Sequence, residues 1–311
     1  MRRTPHAIVL GGGGLLGEAW MSALLVGLED STEFDARRSS CYVGTSAGSI
    51  VAAGLAAGLE PGARLGRLPD LATPSVGGSG ERDTTLSAAF AAAAKLAGAA
   101  ATPFAPFAFA STAPGGALLR RAALRGIPEG KRSLEELRRE VELAGVSWDG
   151  RLRIVAVERQ SGRRVVFGAP GAPDVPVATA VQASCAIPGY FRPVSAHGRS
   201  YVDGGLWSPT NIDVAEVSSG EHVLCLNPTA SLRQGSSALT GAIGTFSRAV
   251  TSAEALVLKN RGAIVTTINP DAHSAAAMGA NLMDARPRQA VIEAGLAQGR
   301  RLAAEDWRSA A

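Results

Sequence analysis

The pentapeptide Gly44-Thr45-Ser46-Ala47-Gly48 sits between an apolar β-forming run, Cys41-Tyr42-Val43, and a small-residue helical pattern, Ala47–Gly58, that stops before Pro61. A serine with small residues two before and two after it can occupy a sharp strand-to-helix turn, where bulkier neighbours would clash. Such a turn needs a strand feeding it and a helix leaving it, so it commits the chain to an α/β arrangement. It also points the positive end of a helix at the serine hydroxyl, where a developing oxyanion would gain from it.

The rest of the chain repeats this alternation. Apolar β-branched runs predict strands at His6–Leu10, Cys41–Gly44, Leu152–Val157, Arg164–Phe167, His222–Leu226 and Ala263–Ile268. Helical patterns lie between most of them: Ala19–Leu28, Ala47–Gly58, Ala178–Ala186, about 240–260, and Arg288–Ala304. Ser133 and Glu136 have the spacing of a capping box that would start a further helix, Leu134–Leu143. Short apolar strands alternating with helices predict a mostly parallel sheet covered on both faces, with residues 1–311 forming one domain.

A serine nucleophile needs a base and an oxyanion hole. Of the four histidines, His6 and His222 sit at strand starts and His197 lies beside Gly198 in a hairpin turn. His273, after the strand exit Ile268-Asn269-Pro270-Asp271, is the one candidate for a Ser-acid-His order. A second base candidate is Asp203 in Tyr201-Val202-Asp203-Gly204-Gly205, at a strand end whose glycines would let another backbone approach closely. The same Asp-Gly pair could simply cap a turn.

The oxyanion donors point to Gly11-Gly12-Gly13-Gly14-Leu15-Leu16-Gly17, which follows the first strand and opens a helix. Converging backbone N–H groups there would hold an anion. Gly12-x-Gly14-x-x-Gly17 also fits a dinucleotide fingerprint, which asks for an acid some 20 residues on at the end of a second strand. Glu33 and Asp35 have that spacing, but Ser31–Ser40 is too polar for a buried strand. The oxyanion reading suits the serine better; a nucleotide-binding protein stays open as the alternative.

Taken together these blocks resemble the patatin-like lipid acyl hydrolase family. Four stretches match in order: Gly12–Gly17, Gly44–Gly48, Ala183-Ser184-Cys185-Ala186-Ile187-Pro188-Gly189-Tyr190-Phe191, and Asp203-Gly204-Gly205. The resemblance implies a three-layer α/β/α fold and a Ser46–Asp203 dyad without histidine. It implies the Gly12, Gly13 and Gly14 amides as oxyanion hole, with Gly17, Gly44, Gly48, Gly204 and Gly205 shaping the motifs. It further implies a lipid or acyl-ester substrate and neither metal nor organic cofactor. An acyltransferase would use the same acyl-enzyme, and a binding protein with an idle dyad would keep the same residues. One departure is Leu16, where many relatives carry Arg or Lys.

Composition limits the partners. Apolar residues make up 46% of the chain and aromatics 5%, so the core is built from small side chains. The net charge is +4, nearly all of the positive charge being arginine, and no basic stretch has the interleaved aromatics that nucleic acid binding would want. A cluster at Arg120, Arg121, Arg125, Lys131 and Arg132 would either meet anionic headgroups at a membrane surface or form a solvated face. Cys41, Cys185 and Cys225 are far apart and odd in number, which fits reduced thiols and a cytoplasmic location. Arg2-Arg3 and the apolar run after it imitate a signal sequence, but Gly11–Gly14 and Glu18 interrupt it. Residues 86–110 are Ala-rich, yet Lys95, Pro103 and Pro106 break them as a membrane span. Residues 70–130 are the least regular stretch and are expected to form a lid or insertion, with Phe104, Phe107 and Phe109 of residues 100–112 at the acyl-chain entrance or on a lipid-facing lid.

Overall fold

The computed structural model describes residues 4–30, 33–66, 114–232 and 238–305. Phe104, Phe107, Phe109 and most of the expected lid lie outside the described residues. The strands are β1 (Ala7–Leu10), β2 (Cys41–Thr45), β3 (Leu152–Glu158), β4 (Arg164–Phe167), β5 (Val194–Ala196), β6 (Arg199–Asp203), β7 (His222–Leu226) and β8 (Ile264–Ile268). They form one sheet whose ladder runs β5-β6-β3-β2-β1-β7-β8, with β4 also paired to β3. From β3 to β8 every pairing on that path is parallel, whereas β4, β5 and β6 are antiparallel additions.

The register around β3 places the site. Ile154 pairs with Gly44 of β2 and with Phe167 of β4, so β2 and β4 lie on opposite edges of β3. Ala156 pairs with Val165 of β4 and with Asp203 of β6, so β6 also lies opposite β4. Thus β2 and β6 share one edge of β3. They run toward each other, β2 ending at Thr45 opposite Val155 and β6 at Asp203 opposite Ala156.

Alternation along the strands divides the core in two, as period-2 side chains require. Ile8, Leu10, Tyr42, Ile154, Leu224 and Leu226 face one layer of helices. That layer comprises α1 (Gly14–Glu29), α2 (Ala47–Ala56), α4 (Glu135–Leu143), α5 (Val177–Ser184), α7 (Ala272–Met278) and α8 (Arg288–Glu305). Ala7, Val9, Val43, Val155, Val223 and Val265 face Ile212, Ala255 and Leu258, the last two on α6 (Ala238–Asn260). Leu124 of α3 (Pro114–Gly126) packs with Val157, Val202 and Trp207 on a smaller cluster. The result is a three-layer α/β/α sandwich with a mixed, mostly parallel sheet. Small residues set the spacing within a layer: a Cβ on Gly27 of α1 would lie 2.5 Å from the Leu296 carbonyl oxygen of α8.

Some element boundaries differ from the sequence reading. Helix α1 begins at Gly14 rather than Ala19, because Pro228 packs against Gly13 and Gly17 and the Gly17 N–H donates to the Gly13 carbonyl at 2.8 Å. The capping box at α4 does not form. The helix starts at Glu135, Leu134 takes the cap position, Ser133 Oγ accepts the Glu135 N–H at 3.2 Å, and Glu136 pairs with Arg139. Residues 114–126, expected to be irregular, form α3. The basic cluster is not one face: Arg120 is buried, its guanidinium over the Trp207 ring and its Nε–H donating to the Gly162 carbonyl at 2.9 Å. Among the described residues no helix is long and apolar enough to cross a membrane.

Candidate active site

Ser46 stands between β2 and α2 with φ 51° and ψ −125°, a left-handed conformation that costs a non-glycine residue about 1–3 kcal/mol. The surroundings hold it there. Its N–H donates to Ser184 Oγ at 2.9 Å, and Ser184 Oγ–H donates onward to the Val155 carbonyl at 2.6 Å. Its carbonyl accepts from Ser49 Oγ–H at 2.6 Å. The flanking glycines leave the room this turn requires: a Cβ on Gly44 would lie 2.5 Å from Ser49 Cα, and one on Gly48 would run into the Leu10 carbonyl.

Asp203 meets Ser46 from the facing strand. Ser46 Oγ–H donates to Asp203 Oδ2 at 2.6 Å, across 157 residues of sequence. The Gly205 N–H donates to Oδ1 at 2.7 Å, so each carboxylate oxygen has a partner. Gly204 lets the chain press on β3, since a Cβ there would run into the Val155 carbonyl. Both residues are buried, Ser46 at 8% and Asp203 at 7% relative exposure. Burial raises the Asp203 pKa from 3.8 to about 6, against the bonds from Ser46 and Gly205 that lower it.

The histidines lie elsewhere. His6 pairs with Glu221 at 3.1 Å, and His197 is exposed on the β5–β6 hairpin with Nε2 2.7 Å from the Asp174 carbonyl. His222 starts β7, and His273 is exposed on α7.

The glycine loop lies beside Ser46, a Cβ on Gly12 falling 3.4 Å from that of the serine. The Gly12 N–H, however, donates to the Pro209 carbonyl at 2.8 Å. Of the three amides expected to face an oxyanion, Gly12 is therefore already bonded within the protein. Gly13 and Gly14 have no protein acceptor among the described residues. Gly14, at φ 58°, lines a cavity of about 140 Å³ together with Ser46. The dinucleotide reading loses support, because the Asp35 carboxylate caps the turn at Ala36–Arg38 and binds the Arg37 side chain. Among the described residues no group of three His, Cys, Asp or Glu is placed to hold a metal. Cys41, Cys185 and Cys225 are free and buried, and burial pushes each thiol upward.

The cavity lining includes apolar Leu15, Ile50, Leu134, Leu137, Phe191 and Met283. It also includes an ion triad in which Arg64 donates to Glu18 at 2.7 Å and to Glu140 at 2.9 Å. Ser184 and Phe191 lie in the third matching block but were given no role in the sequence, and Arg64, Glu140, Ile50 and Met283 were not singled out at all. A charged Glu18 inside the otherwise apolar stretch Leu15–Leu25 was the signal for the triad. Met283 had none, because its loop reaches the site from far along the chain, where the Leu282 carbonyl accepts the Leu16 N–H at 3.0 Å.

No curated protein matches the chain. Among solved structures it is similar to VipD from Legionella pneumophila, with a TM-score of 0.42 and 15% sequence identity over 97% of this chain and 67% of that one. A family model, patatin-like phospholipase, matches residues 8–216, which hold the glycine loop, the Ser46 turn and the Asp203 strand end. The chain belongs to the patatin-like phospholipase family.

Proposed function

We propose that this protein is a serine acyl hydrolase that cleaves the carboxylic ester bonds of lipids through an acyl-enzyme on Ser46, with Asp203 as base. Family membership supports lipid acyl hydrolysis in general. The observation that carries the finer reading is the 2.6 Å bond from a strained, buried Ser46 hydroxyl to the Asp203 carboxylate.

In this reading Asp203 takes the Ser46 proton as Oγ attacks the ester carbonyl. A free carboxylate of pKa about 3.9 is a weak base toward a hydroxyl. Burial makes this one stronger, and the second bond from Gly205 keeps Oδ2 facing the serine. The Gly13 and Gly14 amides, with the N-terminus of α2, stabilise the tetrahedral oxyanion. The proton passes to the leaving alcohol, and Asp203 then activates a water that releases the acid from Ser46.

The test is labelling with a fluorophosphonate followed by peptide mass spectrometry, together with turnover of p-nitrophenyl esters. An adduct on Ser46, abolished in Ser46→Ala along with turnover, is the expected result. An adduct on Ser49 or Ser184, or undiminished turnover by Ser46→Ala, would overturn the reading.

A further inference from the structure

The loop after the Asp203 strand touches all three motifs. The Pro209 carbonyl holds the Gly12 N–H, the Thr210 carbonyl accepts from Thr45 Oγ1–H at 3.4 Å, and Asn211 reaches both strand ends of the dyad. Asn211 is fully buried, and its Nδ2 donates to Thr45 Oγ1 at 3.0 Å and to the Ser208 carbonyl at 2.8 Å. Nδ2 also lies 3.5 Å from the Gly204 carbonyl. Thr45 immediately precedes Ser46, and Gly204 immediately follows Asp203. Arg164 Nη1 donates to Asn211 Oδ1 at 3.3 Å while paired with Asp213, so the amide is turned with its donors toward the two strands.

We infer that Asn211 is a positioning residue for the dyad: its side-chain amide ties the C-terminal end of β2 to the turn at Ser208 that follows β6, and so sets the distance between Ser46 Oγ and Asp203. The inference rests on the dyad reading above. Strand β3 alone does not fix that distance. Thr45 and Asp203 lie against consecutive residues of β3, and no ladder bond joins β2 to β6 directly. The amide supplies a cross-link beside the one that residues 184–186 make through the Ser46 and Asp203 N–H groups, and it does so from inside the protein, where a hydrogen bond is least exchanged for water.

A simpler role for Asn211 is its backbone. At φ 51° and ψ 39° it is left-handed, a conformation asparagine tolerates better than most residues. Asn211→Gly separates the two roles, because glycine keeps that conformation and removes the amide. Thr45→Val removes the acceptor and leaves residue 211 untouched.

The experiment measures kcat, KM, the pH dependence of kcat and the melting temperature for both variants, their double variant and Asp203→Asn on a soluble ester. Asn211→Gly is expected to lower kcat about 100-fold with KM unchanged, the scale of loss for a misplaced reacting group. Its acid limb moves to higher pH, because a lengthened Ser46–Asp203 bond no longer lowers the aspartate's pKa. Thr45→Val lowers kcat in the same sense, and the double variant is no worse than Asn211→Gly. If Asn211→Gly keeps wild-type kcat and acid limb while Asp203→Asn is dead, the dyad stands and the positioning role is overturned. If melting and kcat fall together with the acid limb unmoved, Asn211 is merely structural and the inference is overturned. An active Asp203→Asn removes the dyad and this inference with it.

Discussion

Thr45 and Asp203 end two strands that approach each other along the same edge of β3, one opposite Val155 and the other opposite Ala156. The parallel strand delivers the serine at its C-terminal end, where the sharp turn begins. The antiparallel strand delivers the carboxylate at its own C-terminal end, so both groups arise from rigid elements. Because side chains alternate with period two, a one-residue slip of β6 would turn Asp203 to the opposite face of the sheet.

Asp203→Asn should lower kcat for ester hydrolysis by roughly 10²–10⁴-fold, the usual contribution of a positioned base. The amide is nearly the same shape, so the fold and the Gly205 contact persist. His273→Ala should leave kcat within a factor of about two, since residue 273 is exposed on α7. Steady-state kinetics on both variants check this; an inactive His273→Ala beside an active Asp203→Asn would reverse the assignment.

The pH dependence follows from the direction of the Asp203 shift. In the proposed mechanism Asp203 works when ionised, so kcat/KM should fall below a one-proton limb near pH 6. Stability runs the other way. The folded pKa lies above the unfolded one, so the carboxyl's contribution to stability is full below about pH 4 and lost as pH rises through 6. Relative to wild type, Asp203→Asn should therefore gain about 2 kcal/mol between pH 4 and pH 8. Buried Glu254 adds to the same trend, because burial and the nearby Asp213 hold its carboxyl well above the usual range. Thermal melts at the two pH values check the sign; an equal difference at both would refute it.

Much of the Ser46–Asp203 pairing was legible in the sequence because the two residues sit in local patterns. Ser46 is marked by Gly44 and Gly48, and Asp203 by Gly204 and Gly205, since each site needs absent side chains within two residues. The extent of the helices was less legible: Gly14 and Gly17 read as loop, and only the packing of Leu282 and Met283 on Gly14 and of Pro228 on Gly17 shows why a helix tolerates them. Long-range support left no local trace. Asn211 and Arg64 act across 166 and 46 residues of chain on Thr45 and Glu18, and nothing in their own neighbourhoods says so; Ser184, 138 residues from Ser46, lay in a matching block that did not reveal its bond to the serine.

The ion triad makes a separate prediction. Glu18 is 3% exposed and relies on Arg64, whose other nitrogen binds the more exposed Glu140. Arg64→Met leaves a carboxylate buried without its cation and should cost about 3–5 kcal/mol, the scale for breaking a buried pair. Glu140→Gln keeps an acceptor for Arg64 and should cost about 1 kcal/mol or less. Urea melts of the two variants would show the asymmetry; equal losses would mean that Glu18 does not depend on the pair.

The glycines of the first loop should divide into two kinds when changed to alanine. A Cβ on Gly13 would lie 2.7 Å from the Pro228 ring and 2.8 Å from Gly17 Cα, so something must shift. Gly13→Ala should therefore destabilise the protein by about 1–3 kcal/mol, the range for overpacking a core. A Cβ on Gly12 meets its nearest neighbour, Ser46 Cβ, at 3.4 Å, which is ordinary contact. Gly12 is also outside the positive-φ region, so alanine there carries no backbone strain. Gly12→Ala should fold and melt close to wild type. If substrate enters from the glycine-loop side, as the proposed oxyanion hole requires, its methyl group crowds Ser46 and turnover should fall by about tenfold or more, as loss of a near-attack geometry does. Calorimetry and ester kinetics on the pair separate the two effects. A Gly12→Ala that is both stable and fully active would show that substrate reaches Ser46 from a side the glycine loop does not cover.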